Sequence, residues 1–553
     1  MPLHDPYSSL EDAGFRPRFI AIHKFPVQEH GIMKLVEDVS NTGDIQTEIW
    51  NSARSPVNEL PDDVLRDIFV CTLPTLHNAV ISPNQPPLLL TRISRRWRTI
   101  AFETPGLWAS IHLPAPVLSF DATRDDEKRI LNVIMPGIER TAKEWLARSG
   151  DVPLNISLRI NVDDPHSAIH SETSEILTNT FIHLSRRWRH VRIESVEDDC
   201  IEKILQVPAE NAPLLESLEV DGGFLMGCSP EPKIYANASL LKTPNLRSLS
   251  LQLASDDVSD LPINRAHLTY LGVRAADDVS LDSLAFLFRE CTNLKQFLIR
   301  MAFPATKKSL SENFPARIAC PTLQHISVVD TDDDRADLYK RLELPNLCRL
   351  DFFRYPTMPC SILSLLPGTH GSITHLITNA CATPFSEFVK WLKLCPNLET
   401  LSLVQGPFQL FAEDVTRLPI TLLDMLSKKS EDQDSTHDGS YLCPNLRRFE
   451  CFNSTDFTAR QVLQFIKTKQ AQADPRIAKL TDIIVCFEAE QKESKEVEAE
   501  LTPFRSDGLH VSLVYCLRTQ QYGVHKSFVP TAGLQDSYTD GFDLGVFGGT
   551  LSL

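Results

Sequence analysis

Four groups of residues in this chain have the types that chemistry uses, so their spacing is the first thing to read. Asp330, Asp332 and Asp334 stand at the first, third and fifth places of a calcium loop, but Arg335 and Arg341 fall where that loop needs its glycine and its bidentate glutamate. Calcium binding is therefore not expected. The chain has 13 cysteines, an odd number, without a CxxC pair. Cys291, Cys320, Cys395 and Cys443 each sit three residues before a leucine in the same local pattern, which predicts small buried core residues and not metal ligands. Two arginine groups, Arg92, Arg95, Arg96 and Arg98, then Arg186, Arg187, Arg189 and Arg192, can contact phosphate or form a solvated helix face. With a formal charge of −17, the solvated face is the expected reading. GlyGlyPheLeuMetGly from Gly222 is not a GxGxxG fingerprint, and no nucleophile elbow, HExxH or Walker sequence occurs. The spacing points to no catalytic constellation, so no enzyme activity, cofactor or metal is expected.

The spacing that does recur is structural. A PxLxxLxL pattern runs through PLLESLEV at Leu215, PNLRSLSL at Leu246, HLTYLGV at Leu268, NLKQFLI at Leu294, PTLQHISV at Leu323, PNLCRLDF at Leu347, SITHLIT at Ile373, PNLETLSL at Leu398 and PNLRRFEC at Leu446. Up to Leu398 the steps are 31, 22, 26, 29, 24, 26 and 25 residues, the period of leucine-rich repeats. Each LxxLxL predicts a short strand with leucines inward and a return segment that stacks the next strand beside it. SLDSLAFLFREC from Ser280, PFSEFVKWLKLC from Pro384 and FTARQVLQFIKTK from Phe457 have apolar residues three and four apart and predict helical returns. WRHVRI from Trp188 and KLTDIIV from Lys479 read as atypical end units.

Ahead of the repeats, NELPDDVLRDIFVCTLP reads as a short helix: Pro61 fits the first turn, Asp62 and Asp63 favour its amino end, and Val64, Leu65, Ile68 and Phe69 form one apolar face. A loop with Pro83, Pro86 and Pro87 leads to a second helical stretch carrying Leu89, Ile93, Trp97, Ile100 and Ala101. Such short helices cannot bury their own faces well and need a partner. Leu60-Pro61, Val64-Leu65, Ile68-Phe69, Leu88 to Leu90, Ile93, Ser94, Trp97-Arg98, Ala101, and Pro105 with Leu107-Trp108 match in order the pattern of an F-box. This stretch resembles that family in the form common in mushroom-forming fungi. It departs from the family in Asp63 for glutamate, Val64 for isoleucine and Ser94 for the usual cysteine.

The expected architecture is α/β, a leucine-rich-repeat solenoid with a short all-α F-box module near the N-terminus. The expected divisions are an amphipathic helical segment at 1–56, the F-box at 57–113, a linker and capping region at 114–210, repeats at 211–486, and an acidic helix, last strand and tail at 487–553. A composition of 42% hydrophobic and 23% charged residues is that of a folded globular chain. The amino terminus has charges and prolines where a secretory signal needs an apolar run, and no segment offers a membrane span. Cytosol or nucleus is the expected address, without membrane attachment.

The resemblance implies a substrate-receptor subunit of a Skp-cullin-F-box ubiquitin ligase. In that reading Leu60, Pro61, Val64, Leu65, Ile68, Phe69, Leu89, Ile93, Trp97 and Trp108 are buried in the module's own core or against the Skp-family adaptor, and the repeats hold a target protein. Alternation places Arg274, Arg300, Val329, Phe353, Val404 and Phe452 on the concave face as expected target contacts, with Phe353 and Phe452 exposed. Covering of these positions by loops or by the carboxy-terminal tail is the competing expectation. A non-degradative scaffold bound to the adaptor, and a nucleic-acid-binding repeat protein that uses the arginine groups, are the alternative functions.

Overall fold

A computed structural model describes residues 56–75, 77–114, 132, 135–160, 168–195, 198–221, 235–253, 260–275, 281–301, 316–330, 336–354, 364–369, 371–379, 384–404, 421–427, 441–454, 457–487 and 493–515. The amphipathic segment expected at 1–56, the run from Gly222 and the tail after Tyr515 lie essentially outside these. The chain divides into two compact units: one comprises 1–74, 81–109 and 136–150, the other 75–80, 110–135 and 151–553.

The first unit is helical. Helix α1 (Asp62–Cys71) turns Leu65 and Phe69, four residues apart, into the interior. Helices α2 (Leu90–Ile93) and α3 (Arg95–Phe102) follow, and α4 (Met135–Arg148) adds Trp145. The core is aromatic. Trp108 meets Trp145 edge-on at 5.0 Å and donates Nε1–H to the Ala101 carbonyl at 2.8 Å. Phe102 stacks on Trp108 at 5.7 Å, and the Arg148 guanidinium lies 4.8 Å from the Phe102 ring centre. Each aromatic pair adds about 0.5–1.5 kcal/mol beyond area burial. Ser94 caps α3 by accepting from the Trp97 amide at 3.1 Å, a stronger amino-terminal acceptor than a cysteine at that place would be.

The second unit is the repeat region. Its strands are β1 (Ser110–Pro114), β2 (Leu154–Ile160), β3 (Trp188–Ser195), β4 (Ser217–Asp221), β5 (Ser248–Leu253), β6 (Tyr270–Ala275), β7 (Gln296–Met301), β8 (Ile318–Ala319), β9 (His325–Asp330), β10 (Leu342–Glu343), β11 (Arg349–Arg354), β12 (His375–Thr378), β13 (Thr400–Val404), β14 (Arg448–Ser454), β15 (Asp482–Phe487) and β16 (His510–Tyr515). Fourteen of them form one parallel sheet in sequence order, and β8 pairs with β10 separately. The helices are α5 (Ala168–Ile182), α6 (Asp198–Leu205), α7 (Leu281–Glu290), α8 (Ala336–Tyr339), α9 (Phe385–Leu394), α10 (Thr421–Ser427), α11 (Ala459–Gln470) and α12 (Ser494–Ser506).

This is a mixed α/β repeat architecture. Equivalent leucines align across the register, as in Leu218, Leu249 and Leu271, and all three are buried. A purely parallel sheet with strand order equal to chain order is what a stack of strand-and-return units produces. The sheet extends beyond the repeats expected at 211–486: β1 and β2 lie within the stretch read as module end and linker, β3 and β15 are the end units expected from Trp188 and Lys479, and β16 is the last strand expected after 487. At its first edge the segment Ala79–Val80 joins β1. The Ala79 carbonyl accepts the His112 amide at 2.7 Å, and the Ser110 hydroxyl accepts the Ala79 amide at 3.1 Å.

One bond recurs from unit to unit. The residue just before each first leucine donates to the carbonyl two residues before the first leucine of the preceding unit. The pairs are Asn245 to Pro213 at 2.7 Å, His267 to Pro244 at 3.2 Å, Asn293 to Ala266 at 2.8 Å, Thr322 to Thr292 at 2.9 Å, Asn346 to Pro321 at 2.7 Å, Asn397 to Gly371 at 3.0 Å and Asn445 to Pro396 at 3.4 Å. Ser372 departs by two positions in its acceptor and bonds the Leu347 carbonyl at 2.5 Å.

Candidate functional site

Helix α1 shows two adjoining stripes. Leu65 and Phe69 are buried, whereas Val64 and Ile68 are 39% and 41% exposed. The next stretch repeats this: Leu90 is buried, while Leu89 and Ile93, again four apart, are 38% and 53% exposed. Among the described residues eight large apolar side chains are exposed, and six of them, Val57, Val64, Ile68, Val70, Leu89 and Ile93, lie within residues 57–93. Soluble surfaces carry scattered apolar side chains without consequence, but such a concentration marks an interaction surface.

The frame beneath it is held by polar and aromatic contacts. Arg96 donates through Nη2 to the Leu60 carbonyl at 2.5 Å and to Asp62 at 2.6 Å, which fixes the start of α1 to α3. Phe69 and Trp97 bring their rings to 4.8 Å. Arg98 donates to the Thr91 carbonyl at 2.7 Å across the junction of α2 and α3. Of the ten residues expected to serve this module, Leu65, Phe69 and Trp108 are interior, Leu60 and Trp97 are half-buried, and Pro61, Val64, Ile68, Leu89 and Ile93 face out.

The concave-face expectation needs correction. Phe353 is 0% and Val404 3% exposed, and they pack together with Ile377 and the half-buried Phe452. The physical reason lies in strand length: β12 ends at Thr378, paired with Phe352 and Leu403, one residue short of the level of Phe353 and Val404. The side chains on the flanking strands close over that short strand. Asn379 and Gln252, at the corresponding places, are buried too. Neither Phe353 nor Val404 thus presents an apolar anchor; they pack against each other and against side chains of neighbouring strands, and the loops and tail expected to cover them lie outside the described residues. The side chains of Arg274, Arg300 and Val329 lie outside the described residues.

The other chemical candidates are structural. His325 Nε2 donates to Asp351 at 2.7 Å, and Arg349 Nε donates to the other carboxylate oxygen at 3.0 Å. Asp351 is fully buried, so its charge is matched within the sheet and is not presented to a substrate. Cys291, Cys320, Cys395 and Cys443 are buried, and burial pushes their thiols up, to about 11 for Cys291 and about 12 for the others. Thiols held protonated are poor nucleophiles and metal ligands. The second arginine group is largely engaged: Arg187 donates to the Val152 carbonyl at 2.8 Å, Arg189 pairs with Glu216 at 3.1 Å and Arg192 with Glu219 at 3.6 Å. Most of the calcium-like run lies outside the described residues. Among the described residues no helix is long and apolar enough to cross a membrane.

No known protein-family profile matches the chain, and no curated protein matches it. Among solved structures it is similar to the crystal structure of the Rad7 and Elc1 complex in yeast, with 13% identity, a TM-score of 0.30, and coverage of 83% of this chain and 98% of that one. A likeness of this size carries no functional argument.

Proposed function

We propose that this chain is a substrate-receptor subunit of a Skp-cullin-F-box ubiquitin ligase, in which the helical unit binds a Skp-family adaptor and the repeat unit holds a target protein. The observation that carries the reading is the concentration of exposed apolar side chains on α1 and around α2, in a segment whose residues match the F-box pattern in order. Burying Val64, Ile68, Leu89 and Ile93 against a partner would stabilise a complex by several kcal/mol before the cost of association is subtracted. The chain itself catalyses nothing in this reading. Its contribution is to hold a target where a loaded conjugating enzyme meets an acceptor lysine at high effective concentration. Its place is the cytoplasm or nucleus.

The test uses exposed positions, so that folding is left intact. Full-length Ile68→Glu/Ile93→Glu is expected to lose co-purification with a Skp-family adaptor by at least a hundredfold, while its melting temperature stays within about 2 °C of the parent. Adaptor capture unchanged in that variant overturns the assignment.

A further inference from the structure

A cavity of about 450 Å³ opens in the repeat unit between the end of α5 and α6. Its polar lining comes from His183, Ser185, Arg186, Lys203, Gln206 and Asn211, with Ile182, Val207 and Pro208 between them. None of the described lining residues is acidic, in a chain whose overall charge is −17. Local sign therefore runs against the global field. Whereas Arg187, Arg189 and Arg192 are engaged by a carbonyl and two glutamates, Arg186 is exposed at the cavity. Lys203 meets Glu175 at 3.4 Å, with both side chains about half exposed. Such a surface pair is weak and is readily exchanged for a better anion.

From this donor set we propose that the cavity binds a phosphate monoester, with Arg186 and Lys203 as its cationic contacts and Ser185, Gln206 and Asn211 as neutral donors. The inventory favours phosphate over carboxylate. A guanidinium, an ammonium, a hydroxyl and two amides offer more N–H and O–H groups than two carboxylate oxygens accept, whereas a monoester presents three strong acceptor oxygens and a charge of about −1.5 to −2. The guanidinium fork fits two of those oxygens at once. The volume lies within the range of small-ligand sites, with room for the group that bears the phosphate. Polymeric nucleic acid fits less well, because Arg187 and Arg192, two neighbouring arginines that would track a backbone, are committed to the Val152 carbonyl and to the largely shielded Glu219. The monoester can be a free small molecule or a phosphorylated residue on a protein segment. This site is independent of the adaptor surface.

The experiment titrates the full-length chain by calorimetry with inorganic phosphate, phenyl phosphate, and a peptide carrying one phosphoserine beside its unphosphorylated form. Saturable binding of phenyl phosphate is expected, weakened at least tenfold in Arg186→Met/Lys203→Met. Asn211→Asp, which keeps the side-chain size and adds a like charge, should weaken it too, and adaptor capture should be unchanged in both variants. A phosphopeptide bound more tightly than phenyl phosphate assigns the site to a protein segment, and equal or weaker binding assigns it to a free monoester; both support the site. No saturable binding of any phosphate probe, or binding unaltered in folded Arg186→Met/Lys203→Met and Asn211→Asp, overturns it. So does tighter binding of a single-stranded RNA oligonucleotide with a salt dependence of several released counterions.

Discussion

At the scale of single residues, Lys469 is the group whose environment has the clearest measurable consequence. It lies on α11, is 1% exposed, and its ammonium donates to the Leu426 carbonyl at 3.1 Å, near the carboxyl end of α10. Burial lowers its pKa from 10.5 to about 8. Because the folded value is depressed, the unfolded chain binds more protons between pH 8 and 10.5, so this residue makes stability rise with pH across that window. At pH 7 the desolvation cost is fully present, about 3 kcal/mol from the shift, offset by about 1 kcal/mol for the carbonyl bond. Lys469→Met should therefore be more stable at pH 7 by about 1–2 kcal/mol, and its advantage should shrink as pH climbs to 10.5. The buried thiols act in the opposite direction, since they stay protonated while unfolded thiols ionise above about pH 8.5. The informative measurement is thus the difference between the two proteins' denaturation midpoints at each pH, in which the thiol contribution cancels.

At the scale of elements, the chain of donors from Asn245 to Asn445 fixes each strand against the one before it. Each bond is exposed and neutral, worth about 1 kcal/mol, so Asn346→Ala and Asn397→Ala should each lower stability by that amount in a denaturant melt. Asn445→Ala should cost less, because its contact is 3.4 Å long. These residues also show what the sequence makes legible. The PNL triplets identify where units begin, but the acceptor of every one of these Asn side chains lies 25 to 49 residues earlier, and no local pattern names it. The helical returns α7, α9 and α11 were readable because apolar residues three and four apart can meet only on a helix. The burial of Phe353 was not, since period two places a side chain on a face without saying what lies over that face. On α1 the pattern identified the apolar set, Val64, Leu65, Ile68 and Phe69, yet only packing divides it into an inner and an outer stripe. At the far end, Arg460 meets Glu493, Glu496 and Glu500 at 2.9, 3.2 and 2.6 Å and ties α11 to α12. None of this ion-pair network was visible in the acidic composition of that helix.

At the scale of the whole molecule, β1 to β7, β9 and β11 to β16 pair with one another as successive neighbours in that order. Stability is then close to a sum over units and the interfaces between them. Removing residues 244–265, one 22-residue period, brings Ala266-His267-Leu268 to the place of Pro244-Asn245-Leu246. The shortened protein should still melt cooperatively at a lower temperature and still capture the adaptor. A broad, non-cooperative melt of that deletion would show that distant units are coupled. The repeated donor has a further consequence, for how such a chain changes over generations. Seven of the eight joints between Leu246 and Leu446 carry a donor at the same place, Asn in five of them with His267 and Thr322 in the others, and aim it at the equivalent carbonyl of the preceding unit; only the Ser372 joint among these differs. A tandem duplication or loss of a full period at any of those seven joints therefore restores the bond. The part proposed to face targets can lengthen or shorten by whole units, with no compensating substitution required in the part proposed to face the adaptor.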